Sequence, residues 1–322
     1  MKRTRTIFDP KDFVSLKTGG DGRFTAGKDG ILKIFTPLDR KVEFICYADK
    51  TFCYVKSALG YPALYPLEPA EFNPPLEAVL MDLDGTSIKS ETFWVRVIEM
   101  VTSVLRDKPD FRLEEADLPH VSGHSVSEHL QYCINKYCPD KTVEEARKHY
   151  FDVVREQMGL ISRGKGWKDA FVPAPGLKEF LLELKSRGFR IGLVTAGLHE
   201  KAWPAIVSAF RTLGLGDPAS FYDAIITAGF IVRKGSPGTL GELVLKPHPW
   251  LYAETGRIGL GIPYKERKRV IGLEDSSAGV VSLRLAGYSV IGIGGGNIIK
   301  SGVKGLCSRY CETLTEALKE LL

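Results

Sequence analysis

The chain has no apolar run long enough to cross a bilayer. Its start is basic (Lys2, Arg3, Arg5), but charge and a proline interrupt the stretch from Ile7 to Phe13, so no secretory signal core follows. A soluble, non-exported, cytoplasmic protein is the expectation. Cysteine is scarce, with 6 in 322 residues, which excludes a disulfide framework. Neither Cys133 with Cys138 nor Cys307 with Cys311 shows the two-residue gap of common zinc sites, and isolated buried thiols in a reducing compartment are expected. An excess of one charge is also lacking. The net +5 is too thin for a nucleic-acid footprint, although it suits an enzyme attracting anionic substrates. No internal repeat or low-complexity tract is present.

A chain of 322 residues fits two or three compact units, and 44% hydrophobic residues suffice for a sizeable core. In the first 75 residues, Ile31–Phe35, Val42–Tyr47 and Phe52–Val55 are short apolar or alternating runs between turn residues, which predicts a small antiparallel β unit. A proline-rich connector follows (Pro62, Pro66, Pro69, Pro74, Pro75) and marks a boundary. From Leu76 apolar strands alternate with amphipathic helices. Ala78–Met81, Arg190–Val194, Val244–Leu245, Val270–Leu273 and Ser289–Ile293 read as strands, and Leu177–Leu184 as a helix ended by Gly188. Such alternation predicts an α/β fold with a doubly wound parallel sheet. Between the first two core strands no strand is evident, and Phe93–Leu105, His124–Lys136 and Val143–Met158 read as helices. The expected organisation is a β-rich extension over 1–75, an α/β core over 76–90 and 171–322, and a helical cap over 91–170.

The chemistry gathers at strand ends. Ala78-Val-Leu-Met-Asp-Leu-Asp-Gly-Thr86 puts Asp82 and Asp84 directly after an apolar run, at the spacing that keeps two side chains on one side of extended backbone. Carboxyl ends of parallel strands are where open α/β sheets bind ligands. Three more apolar runs stop on one kind of polar group: Thr195, Lys246, and the acids Glu274 and Asp275.

These four segments resemble the motifs of the haloacid dehalogenase superfamily. Asp82-Leu-Asp84-Gly-Thr86 looks like the first, Thr195 the second, Lys246-Pro-His-Pro249 the third and Glu274-Asp275-Ser-Ser-Ala-Gly279 the fourth. The likeness runs from Leu76 to the C-terminus and leaves the first 75 residues unmatched. The helical insert matches the branch that includes beta-phosphoglucomutase and phosphoglycolate phosphatase. The resemblance implies a Rossmann-like core with a helical cap, Mg²⁺ as cofactor and a phosphoryl-transfer enzyme acting on a small phosphorylated metabolite. Asp82 would be the nucleophile that forms an aspartyl phosphate, and Asp84 the general acid and then base. Thr195 would hold a phosphate oxygen, with the backbone of Ala196 and Gly197 assisting. Lys246 would neutralise the phosphate charge. Magnesium would rest on Asp82, the carbonyl of Asp84, and Asp275, with Glu274 ligating or standing behind them. Gly123 and His124 lie where the cap carries its substrate loop.

Some residues depart from the branch. Trp94 stands near the place of the mutase's cap histidine, and Val126 near that of its arginine, which weakens a phosphomutase reading. Asp84 argues against dehalogenase chemistry. A phosphatase is therefore the leading expectation, with a phosphomutase and a phospholigand-binding scaffold as alternatives. Two glycine-rich stretches are set aside as phosphate loops. Gly22–Asp29 lacks a serine or threonine after its lysine and reads as a turn, while Gly292–Gly296 follows a late strand and reads as a loop beside the active site. Neither substrate identity nor oligomeric state is legible.

Overall fold

The computed structural model describes residues 7–56, 62–72, 75–118, 126–228 and 245–322. An antiparallel sheet opens the chain, with β1 Val14–Leu16, β2 Lys33–Thr36, β3 Val42–Cys46, β4 Thr51–Val55 and β5 Ala63–Leu67 paired in sequence order. There follow β6 Ala78–Asp82, β7 Ile88–Lys89, the helices α1 Glu91–Arg106, α2 Val126–Tyr137 and α3 Val143–Ser162, and β8 Val172–Pro173. The remainder alternates: α4 Leu177–Ser186, β9 Arg190–Val194, α5 His199–Leu213, β10 Ala224–Ile226, α6 Trp250–Glu254, β11 Val270–Glu274, α7 Ser277–Leu285, β12 Ser289–Ile293, β13 Arg309–Cys311 and α8 Leu314–Leu321.

The second sheet has six strands in the order β10-β9-β6-β11-β12-β13, every pair parallel. Its central strands are buried along their whole length, which is why they read as unbroken apolar runs rather than alternating ones. Order reverses at β6. The chain steps from β6 to β9 and β10 on one side, then returns to β11 on the other. The carboxyl ends of β6 and β11 therefore flank the switch point, the natural crevice of such a sheet.

Sequence and structure differ instructively in the connector. Its first half is β5, paired with β4 from Ala63↔Val55 to Leu67↔Thr51. Pro66 is tolerated because β5 is an edge strand, where a missing N–H costs little. The short strands β1, β10 and β13 carry too few residues to announce themselves by pattern. Of the expected Val244–Leu245 strand, Val244 lies outside the described residues and Leu245 belongs to no strand. Gly22–Asp29 forms turns, with Gly22 and Gly27 at φ 77° and 85°.

By contact the chain parts into two compact units. One comprises Met1–Ser87, Ala174–His199 and Asp217–Leu322, the other Ile88–Pro173 and Glu200–Gly216. In the first, the N-terminal sheet and the parallel sheet share one core. Phe8, Phe13, Phe44, Val55 and Leu67 belong to the same buried cluster as Val280, Leu283 and Leu306. The rings of Phe8 and Phe44 lie 4.9 Å apart. The opposite face of the N-terminal sheet carries its own cluster of Ile31, Ile34, Ile45 and Tyr54.

The second unit packs α1 against α3 and α2. Its acid node is Asp117, wholly buried, which accepts from Tyr132 (2.6 Å), Lys136 (2.6 Å), Tyr137 and the Glu114 N–H (2.9 Å). Trp94 packs edge-on to Phe93, and the Lys201 ammonium lies 5.6 Å from its centroid. All six cysteines are free thiols.

Candidate active site

The site is built on the strand ends of the first unit. Asp82 is the last residue of β6 and is 5% exposed. Gly85 then turns the chain at φ 91°, a conformation that favours glycine. A Cβ there would stand 2.2 Å from Asp275 Oδ2, so close approach as well as conformation requires glycine. Ser87 donates back to the Asp82 carbonyl (2.6 Å) and Thr86 to Asp275 Oδ1 (3.2 Å), closing the loop onto the neighbouring strand.

Glu274 ends β11 beside it, and both of its carboxylate oxygens are engaged. Oε1 accepts from Lys246 Nζ (2.6 Å) and the Tyr252 hydroxyl (2.7 Å). Oε2 accepts the N–H and the hydroxyl of Ser276, both at 2.9 Å. Ser276 also caps α7 through the Gly279 N–H, and a Cβ on Gly279 would collide with the Glu274 carboxylate. Gly296 lies equally close to Asp275, whose carbonyl accepts from Asn297 N–H (3.0 Å). The late glycine-rich loop thus does sit beside the site.

Lys246 is 7% exposed and places all three ammonium protons, on Asp82 Oδ1 (2.5 Å), Glu274 Oε1 and the Tyr252 hydroxyl (3.1 Å). Burial disfavours its charge, but the two carboxylates outweigh this and hold its pKa above the usual lysine range. For Asp82, burial first and the Glu274 charge second push the carboxyl well above the usual range, while Lys246 pulls it back. Burial and Glu274 likewise push the Tyr252 phenol up.

On the other side of β6, Thr195 directly follows β9 and is buried. Its hydroxyl donates to Asp84 Oδ2 (3.2 Å) and accepts the Gly197 N–H (2.9 Å). Gly197 thus supports Thr195 directly. Asp84 and Ala196 are exposed. Gly123 and His124 lie outside the described residues.

Oxygen atoms of Asp82, Glu274 and Asp275 all come within 4.8 Å of one another. Three buried carboxylates against the single ammonium of Lys246 leave two negative charges uncompensated in a poorly solvated place. A divalent cation fits that deficit, and an all-oxygen donor set suits a hard ion. Since Glu274 is saturated by protein donors, Asp82 and Asp275 are the side chains best able to hold it.

Sequence reasoning missed Tyr252. It lies six residues beyond Lys246 on the short helix α6, is wholly buried, and its ring centroid is 4.8 Å from the Lys246 ammonium. One aromatic in a five-residue helix shows no periodicity, so nothing in the pattern set it apart.

A family model described as haloacid dehalogenase-like hydrolase matches residues 76–287. The glycerol-1-phosphate phosphohydrolase 2 of Saccharomyces cerevisiae is 31% identical over 229 residues, 68% of this chain and 74% of its own length. Glycerol-1-phosphate phosphohydrolase 1 of the same yeast is 29% identical over 239 residues, 71% and 78% of the two chains. Among solved structures, CbbY from Rhodobacter sphaeroides in complex with phosphate superposes with a TM-score of 0.52 at 19% identity, covering 76% of this chain and 99% of that one. That likeness speaks to the fold.

Proposed function

The chain belongs to the haloacid dehalogenase-like hydrolase family, and from that premise we propose that it is a magnesium-dependent phosphatase hydrolysing the phosphate monoester of a small polyol. The convergence of Asp82, Asp84, Thr195 and Lys246 on the switch point of the sheet, beside a charge deficit of two, carries this reading. The substrate class takes its support from the two yeast relatives named for glycerol 1-phosphate.

A magnesium ion held by Asp82, Asp275 and the Asp84 carbonyl would supply positive charge to the phosphate and lower the Asp82 pKa again. The chain's own groups do the rest. An Asp82 carboxylate oxygen attacks phosphorus as the ester P–O bond breaks, giving an aspartyl phosphate. Asp84, tethered by Thr195, hands its proton to the departing alkoxide and then removes one from water. That water attacks the same phosphorus, releasing inorganic phosphate and restoring Asp82. Lys246 bridges Asp82 and Glu274 and keeps its charge through the cycle, so it stabilises the negative charge spread over the transferring oxygens.

The test is a phosphate-release screen with magnesium over polyol, sugar and aryl phosphates, with Asp82→Ala alongside. Release from polyol esters, lost in the variant, is expected. Equal release by the variant would sink the role of Asp82. Isomerised sugar phosphate with little free phosphate would turn the reading to a phosphomutase.

A further inference from the structure

Resting on the phosphatase reading above, we propose that Tyr65 of the N-terminal sheet is a positioning residue for Lys246, which makes that sheet part of the catalytic apparatus. The sheet precedes the segment matched by the family model, which begins at residue 76.

The link runs through His248. Lys246 is presented by a tight turn in which the His248 N–H donates to the Leu245 carbonyl (3.1 Å). His248 is therefore the exit of the turn, and it is 6% exposed. Two anchors hold it. Its carbonyl accepts from the hydroxyl of Ser282, wholly buried on α7 (2.6 Å). Its ring Nδ1 is 2.8 Å from the Tyr65 hydroxyl, with the two rings edge to face at 5.7 Å.

No other described residue relieves Tyr65 of this task. His248 Nε2 is buried without a hydrogen-bond partner among the described residues. Removing the Tyr65 hydroxyl leaves both ring nitrogens of a buried imidazole unpaired, a penalty the turn escapes only by moving. A shift there is passed to Lys246 two residues away, whose three bonds have no slack.

Tyr65 is itself rigidly held. In β5 it pairs with Cys53, and Leu67 on the same face enters the core shared with α7. Just beyond β5, the Glu68 carbonyl accepts from buried Arg284 of α7 (2.9 Å), and Arg267 pairs with the Glu68 carboxylate. α7 thus supplies Ser282 to one side of His248 and Arg284 to the strand that carries Tyr65. Register between sheet and turn is fixed at both ends.

The experiment compares the full-length protein with Tyr65→Phe, which keeps the ring and removes only the hydroxyl. Magnesium-dependent hydrolysis of para-nitrophenyl phosphate is measured together with amide hydrogen exchange across residues 245–250. We expect kcat to fall about threefold to tenfold with KM within about twofold, and exchange in 245–250 to quicken while that of α8 is unchanged. His248→Asn, which can still offer a polar atom near the Nδ1 position, should keep most of the activity. In a His248→Leu background Tyr65→Phe should cost clearly less than in wild type, the remainder being the bond between the Tyr65 hydroxyl and the Trp250 side chain. Unchanged exchange in 245–250 overturns the proposal whatever the activity, and so does an unchanged kcat in an active enzyme. A wild-type protein that releases no phosphate from any ester overturns the phosphatase reading instead, and the exchange data then decide the positioning on their own.

Discussion

Lys246 Nζ and Glu274 Oε1 stand 2.6 Å apart, and the Glu274 side chain is wholly buried. Glu274 is thus less a competitor for metal than the fixed post to which the lysine is tied. Glu274→Gln keeps the shape but removes the charge. Lys246 would then keep Asp82 as its one ionic partner beside the Tyr252 hydroxyl, and its pKa would drop. We expect kcat to fall about 10-fold to 100-fold, because the ammonium loses one of the two carboxylates that fix its position. Lys246→Met should cost more, about 100-fold to 1,000-fold, since it deletes the group that faces transition-state charge. Equal activity of Glu274→Gln and wild type would show that the lysine needs no such post.

Asp84 is the one site acid the structure leaves exposed, tied by the Thr195 hydroxyl. Asp84→Asn removes both proton transfers assigned to it. Activity toward an alkyl phosphate should fall about 100-fold to 10,000-fold. With para-nitrophenyl phosphate the leaving group needs no proton, so the first half of the reaction survives. The variant should then show a burst of nitrophenol, equal to the enzyme present, followed by a slow steady state. Equal losses on both substrates, with no burst, would remove Asp84 from the acid role.

What the sequence disclosed follows from how each feature is encoded. Asp82 and Glu274 end, and Thr195 and Asp275 directly follow, strands buried along all or nearly all of their length, so an apolar run stopped by a polar residue marked them without any knowledge of contacts. Lys246 was marked by the apolar run before it and by the Lys-Pro-His-Pro segment; of that run only Leu245 is among the described residues, and it belongs to no strand. Tyr252 and Tyr65 were missed for a shared reason: each acts through one hydroxyl, and its ring belongs to an apolar face that looks like ordinary core. The joint core of the two sheets was equally hidden. Phe8, Phe13 and Phe44 show only that something covers them, and a proline-rich stretch that suggested a boundary proved half strand, fastened by Glu68 and Arg284 to α7.

The crowding of Asp82, Glu274 and Asp275 has a consequence for stability. Carboxylates within 4.8 Å of one another repel by at least about 3 kcal/mol at an effective dielectric near 20. Chelation should abolish activity, and magnesium should restore it while raising the melting temperature. Calcium, larger and less strict in geometry, should raise stability without comparable activity. Asp275→Asn removes one member of the cluster and keeps an acceptor for Thr86. The metal-free variant should melt higher than the metal-free wild type, be inactive, and gain little from magnesium. A variant that melts lower than wild type without metal would contradict the account of mutual repulsion.

Asp117, far from this chemistry in sequence, should dominate the acid sensitivity of the helical unit. Burial pushes its carboxyl up, but bonds from Lys136, Tyr132, Tyr137 and the Glu114 N–H together hold it well below the usual carboxylate range. Native Asp117 therefore stays ionised at pH values where the unfolded chain, with a pKa of about 3.9, has taken up a proton. The sign follows from linkage: the stabilisation is complete above the unfolded pKa and is lost as pH falls toward the native one. Asp117→Asn retains one acceptor and cannot titrate. Thermal melts of both proteins should show a wide, flat gap above about pH 5 and a gap that narrows below about pH 4. Should the gap hold constant into strong acid, the four donors would be stabilising a neutral acceptor, and the charge of Asp117 would count for nothing.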